Sequence, residues 1–292
     1  MKIVKKSSVL DWSLILAIGI AWGSSFMFIK VSAPAVGPIT LVFYRLFIAS
    51  LIVAPIFIKK EYLRNFKEDL APILFLSFFN AAVPFYLFSN AALEINAGTM
   101  SVLNGTTPLF AFIVATLWLR LSSNWIQLLG IFIGMVGLFI FVGYESIEFS
   151  LLAINLCLLA SFLYGFSSNF IFKTKDIEPT YLASITLLLA TIITFPFIFL
   201  ENGIDLNQPN EVLLSVGLLG SLCTGLAYMG YVVLIKRVGP IKASTVVLIV
   251  PVTGMLWANI FLDEIITSTM ISGCFLILIG VGLVNFFKNE ET

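Results

Sequence analysis

Ten uninterrupted apolar runs constrain this chain more than any motif in it. They fall at about 12–30, 39–58, 70–92, 97–119, 126–143, 151–172, 181–200, 211–235, 241–262 and 267–287, each bounded by charge, proline or glycine. A bilayer core of roughly 30 Å takes about 20 apolar residues of helix, so every run is long enough to cross one. A β-barrel would need strands of about 10 residues that alternate in polarity, and these runs do not alternate. Lipid offers the backbone no hydrogen-bond partner, so each run must be a helix. With 60% hydrophobic and 11% charged residues, the chain has no room for a soluble domain.

The charges orient the helices, because cytoplasmic loops retain Lys and Arg during insertion. With the N-terminus inside, fourteen of the 16 basic residues fall on the cytoplasmic side, and Glu94, Glu201, Asp263 and Glu264 fall outside. Both termini are therefore expected in the cytoplasm of a plasma (inner) membrane protein. The first run is long for a signal core and resembles the sixth, so it belongs to the mature chain.

That resemblance exposes a repeat. SSFMFIK at 24–30 returns as SSNFIFK at 167–173, and the same offset of 143 places Ser101 on Ser244, Pro108 on Pro251, Gly130 on Gly273 and Gly137 on Gly280. Each unit, 11–143 and 150–287, holds five spans. Five is odd, so the second copy enters the membrane upside down. The expected fold is an all-α integral membrane protein of ten transmembrane helices in two inverted five-helix repeats. Transporters with a midplane site commonly have this design.

Trp22-Gly23-Ser24-Ser25-Phe26, Arg45, Ala91 and Leu93 leading to Ala97 and Pro108, and Gly130-x6-Gly137 resemble the EamA-type family of the drug/metabolite transporter superfamily. Gly239-Pro240, Ala243, Pro251 and Leu262-Asp263-Glu264 extend the resemblance through the second half. The chain departs from the family at Trp118-Leu119-Arg120, where members commonly carry an acid. The resemblance implies a metabolite carrier whose cavity is lined by spans one, three, four, six, eight and nine. Amino acids are the leading substrates it implies, and export the direction.

Polar residues at helical spacing fit such a cavity. Span one offers Trp22 and Ser25, span three Asn80, span four Asn104, span six Tyr164 and Ser168, and span eight Tyr228 and Tyr231. Helix packing explains the serines equally well, whereas large polar groups at mid-depth need partners or water. Arg45 lies about 9 Å below the outer end of span two, where an arginine costs about 2.5–3.5 kcal/mol. An outer-gate ion pair with Glu94 or the Asp263-Glu264 pair is one expectation, and snorkelling to the headgroups the other. Lys30 reads as a surface anchor. Pro108 and Pro251, at matched places in spans four and nine, are expected hinges for gating.

The chain has no histidine, and no Asp or Glu falls in mid-span. A proton-coupled pump needs an ionisable group in its path, so a facilitated carrier or exchanger of a small neutral or zwitterionic solute is favoured. A proton-coupled exporter and a non-transporting structural or receptor protein are the alternatives. Without a base to pair with a nucleophile, and with Cys157, Cys223 and Cys274 scattered, no enzyme, metal site or cofactor is expected. The expected partners are the solute and the bilayer, with no nucleic acid. Gly130-x3-Gly134 suits a homodimer contact or, more simply, packing within the chain.

Overall fold

In a computed structural model, which describes residues 9–57, 66–120, 123–148, 150–173, 177–201, 203–205, 207–238 and 246–286, the regular structure is helical throughout. The first half runs α1 (Val9–Val36), α2 (Pro38–Phe57), α3 (Phe66–Leu76), a π turn (Ser77–Ala82), α4 (Val83–Ala91), α5 (Ala97–Asn104), α6 (Thr107–Trp118) and α7 (Trp125–Glu148). The second runs α8 (Leu151–Lys173), α9 (Pro179–Thr194), a 3-10 turn (Phe195–Leu200), α10 (Asn210–Leu218), a π turn (Leu219–Leu226), α11 (Ala227–Val238), α12 (Val246–Leu262) and α13 (Ser268–Phe286). Seven stretches are long and apolar enough to cross a membrane, and Trp125–Phe141, Val246–Leu262 and Ser268–Val284 are shorter apolar helices. Phe132, Phe139, Leu151, Phe199, Ile260 and Phe275 are exposed, a surface suited to lipid rather than water. Most of the cations that orient the chain fall outside the described residues, as do Gly239, Pro240, Ala243 and Ser244.

Glycine sets the closest helix contacts, because without a Cβ two backbones can touch. A Cβ on Gly130 would lie 2.8 Å from the Gly280 carbonyl oxygen, and one on Gly137 would lie 2.9 Å from that of Gly273. The α7 and α13 helices therefore cross backbone to backbone. Gly134 presses on Leu109, so the Gly130-x3-Gly134 stripe is occupied within the chain and not left for a second copy. Gly23 of α1 sits against Thr253 and Gly254 of α12, while Gly165 of α8 sits against Phe110 and Ala111 of α6.

Several of these features recur at the offset of 143. It carries Thr253 and Gly254 back to Phe110 and Ala111, and exchanges the Gly130–Gly280 contact for the Gly137–Gly273 contact. The π turn Ser77–Ala82 falls on 220–225, within Leu219–Leu226. Arg120 and Asp263, also 143 apart, both take positive φ, 52° and 54°.

The correspondence fails at the matched prolines. The fourth span is broken at Gly105 and Thr106, and Pro108 starts a new helix behind them, whereas Pro251 lies inside the unbroken α12. Proline cannot donate the backbone hydrogen bond that would carry α5 into α6, and the Thr106 hydroxyl instead donates to the Leu103 carbonyl at 2.6 Å. Pro251 packs directly against Gly105, 2.7 Å from where its Cβ would be. The two matched prolines are thus unlike in local structure: the helix is interrupted beside Pro108 and continuous through Pro251.

Candidate functional site

The two π turns place the site's polar groups. A π turn accommodates one residue more than the equivalent α turn and displaces side chains that a regular helix would direct elsewhere. In Leu219–Leu226 it lets the Thr224 hydroxyl donate to the Leu219 carbonyl five residues back at 2.8 Å, leaving its oxygen to accept from Arg45 Nε at 2.7 Å. In Ser77–Ala82 it carries Asn80, whose amide donates to the Tyr228 hydroxyl at 3.5 Å. Two side chains of the first half thereby meet two of the second.

Arg45 is buried, at 8% exposure. Its backbone packs beside Gly220, and Thr224 lies one turn further along the same helix, away from the end of the molecule that carries Gly37. The side chain therefore points toward mid-span and not toward the nearer headgroups, so snorkelling is not its solution. Phe85 lies beneath the guanidinium, 3.7 Å from carbon to ring centroid, a cation–π contact that compensates part of the lost hydration. Tyr164 and Cys223 are within electrostatic range of it. The Cys223 thiol meets the Ser24 hydroxyl at 3.6 Å.

Aromatic rings complete the enclosure. Trp22 and Tyr231 lie 5.0 Å apart between ring centroids, and Phe88 stacks on Tyr164 at 6.3 Å. Trp22, Asn80, Tyr164, Tyr228 and Tyr231 are all half-buried rather than sealed. Trp22 meets Tyr231, Asn80 meets Tyr228, and Tyr164 lies within electrostatic range of Arg45 and Tyr228, so these side chains gather at mid-span with part of their surface left uncovered. The cluster has hydrogen-bond donors and acceptors, ring faces and a single fixed charge.

Two serines named from sequence bond within their own helices. Ser25 donates to the carbonyl of Trp22 in its own helix at 2.5 Å. Ser168 is exposed and donates to the carbonyl of Tyr164 in its own helix at 2.8 Å, as the packing explanation for serine requires. Asn104 ends α5 at the break in span four. Asn169, overlooked in the sequence, holds α8 to α6 by donating to the Ala111 carbonyl at 2.8 Å.

At the end of the molecule that carries Gly37, two carboxylates sit on helix N-termini. Glu264 accepts from the backbone N–H groups of Ala97 and Gly98 at 2.7 and 2.9 Å. Glu201 accepts from Ile39 and Thr40 at 3.1 and 3.0 Å and from the Thr40 hydroxyl at 3.0 Å. Helix N-termini carry unsatisfied donors and a positive dipole end, so both contacts are favourable. Gly37 makes the second possible: its φ of 86° turns α1 into α2, and Glu201 occupies the place of its missing side chain. Asp263, at φ 54°, turns Glu264 onto α5 in the same way. Half-buried Lys30 donates from Nζ to the Ala92 carbonyl at the end of the third span, at 2.8 Å. Among the described residues Arg45 forms no ion pair: Glu264 is engaged at α5, Glu94 and Asp263 are exposed, and Arg45 bonds Thr224.

The sequence profile of the EamA-like transporter family matches the chain twice, over residues 12–143 and 151–286. The chain belongs to this family. An uncharacterized transporter of Archaeoglobus fulgidus is 26% identical over 277 residues, covering 93% of this chain and 97% of the relative. The uncharacterized transporter YoaV of Bacillus subtilis is 24% identical over 278 residues, covering 93% and 95%. A solved crystal structure superposes with a TM-score of 0.68 at 13% identity, covering 96% of this chain and 98% of its own; it shares the fold. This EamA-like protein is thus a multi-pass membrane transporter and not an enzyme.

Proposed function

We propose that the chain is a facilitated carrier or exchanger of a small neutral or zwitterionic metabolite such as an amino acid, exported by alternating access. In this reading ten spans form two inverted five-helix repeats, 11–143 and 150–287, in the plasma membrane, with both termini cytoplasmic and the Gly37 end outside. The observation that carries it is the mid-span cluster: Arg45 with Thr224, and Asn80 with Tyr228, join the two halves beside half-buried aromatics. Recurrence of the π turns and glycine contacts at one offset supports the repeat, since inverted halves need matched parts to exchange roles. The carboxylate contacts at the Gly37 end fit a carrier closed to the outside. The cluster holds no carboxylate or histidine to carry a proton, which favours transport down the solute's own gradient.

Counterflow tests this. Purified protein in proteoliposomes loaded with unlabelled amino acids is expected to accumulate the labelled counterparts without an ion gradient. Trp22→Ala and Tyr228→Ala each remove a ring from the cluster and are expected to lower the rate about tenfold, the equivalent of roughly 1.4 kcal/mol. Accumulation that requires an imposed proton gradient would overturn the uncoupled mechanism. Full activity in both variants would move the site elsewhere.

A further inference from the structure

From the setting of Arg45 we infer that it is the carboxylate-recognition group of the transport site, so that a substrate must present a single carboxylate; this rests on the carrier reading above. Among the described residues the guanidinium makes one hydrogen bond to protein, from Nε to Thr224. Its two terminal nitrogens have no acceptor, yet neither is among the buried atoms left without a partner. They therefore keep accessible surface. A guanidinium anchored through Nε and flattened on Phe85 presents its outer edge with fixed direction, and two parallel N–H donors match the two oxygens of a carboxylate.

The surroundings narrow the ligand further. Arg45 is the one fixed charge in the cluster, so a monoanion is neutralised while the second charge of a phosphate ester would remain uncompensated in a desolvated place. An ammonium would meet only the faces of Trp22 and Tyr231, the tyrosine hydroxyls and the Asn80 carbonyl, with no carboxylate. Ring faces bind a cation far less strongly than an acid does. The carboxylate is thus obligatory and the amino group optional, which admits monocarboxylates beside amino acids. It also explains why the arginine is held away from every acid: an internal ion pair at this place would compete with the substrate for the same edge.

The test compares acids with their esters. Intrinsic tryptophan fluorescence and thermal stabilisation of the purified full chain are measured against a panel of amino acids and aliphatic monocarboxylates, each beside its methyl ester, with inorganic phosphate included. At least one acid is expected to bind about tenfold or more tightly than its ester, the scale of a charge-assisted bidentate pair. In Arg45→Gln that ratio is expected to fall toward one, and in Arg45→Lys to recover in part. Esters that match acids throughout the panel would overturn the carboxylate assignment and leave the carrier reading intact. Phosphate binding more tightly than every acid would overturn it in favour of a dianion. Acids and esters that neither bind nor exchange in counterflow would overturn both. If Arg45→Gln does not fold, the comparison on the unaltered chain decides alone.

Discussion

Gly280→Val leaves little or no folded protein. A Cβ at this position would lie 2.5 Å from the Gly130 carbonyl oxygen, 2.6 Å from the Gly134 nitrogen and 2.7 Å from the Gly134 Cα. All three are backbone atoms, so no rotamer change relieves the clash, and α7 and α13 must separate. Overpacking a core costs about 1–3 kcal/mol where side chains can adjust, and this site exceeds that because they cannot. The same helix supplies its own control. At Gly282 a Cβ would have no atom within 4 Å, so Gly282→Ala is expected to behave as wild type. Thermal unfolding in detergent, followed by size exclusion, checks both. Equal midpoints for the two variants would mean that the helices do not cross as described.

Removing both carboxylate contacts opens the Gly37 end. Each of Glu201 and Glu264 satisfies two backbone donors at a helix N-terminus, and each is half-buried. For partly solvated caps of this kind about 1–2 kcal/mol apiece is reasonable, so losing both shifts a two-state balance roughly thirtyfold or more. Ser32 reports the change, being fully buried beneath that end with a hydroxyl that has no partner. In a background with the three native cysteines replaced, Ser32→Cys is expected to react with an impermeant maleimide at least tenfold faster once Glu201→Ala and Glu264→Ala are combined. Unchanged reactivity would show that packing of Ala33, Val36 and Ile95 closes this end without the carboxylates.

The spans and the mid-depth aromatics were legible because membrane burial writes itself into composition, residue by residue. Trp22, Asn80, Tyr164, Tyr228 and Tyr231 stood out as large polar groups where lipid tolerates none. Arg45 stood out equally, but its direction did not, since the partner that sets it, Thr224, is 179 positions away and a hydroxyl carries no charge to flag it. Glu201 and Glu264 were visible only as outer-loop acids. What makes them contacts is a positive φ at Gly37 and Asp263, and backbone torsion leaves a weak trace in sequence. The π turns were invisible for a related reason: an apolar run reads the same whether its hydrogen bonds reach back four residues or five. The in-helix bond of Ser168 to Tyr164 was not legible, because spacing defines a helix face but not which acceptor a hydroxyl takes.

The π turn at Leu219–Leu226 holds a spare residue. Each residue of an α-helix advances the rotation by about 100°, so a deletion in a regular stretch rephases everything beyond it. A deletion inside the π turn instead closes it into ordinary helix and leaves Tyr228 and Tyr231 close to their present direction. What it removes is the five-residue reach of the Thr224 hydroxyl to Leu219, and with it the alignment of that oxygen on Arg45. Ser77–Ala82 holds a second spare residue ahead of Phe85. These two turns are therefore the places where the spans tolerate a change of length by one, with the anchoring of Arg45 altered and the rings beyond left in phase.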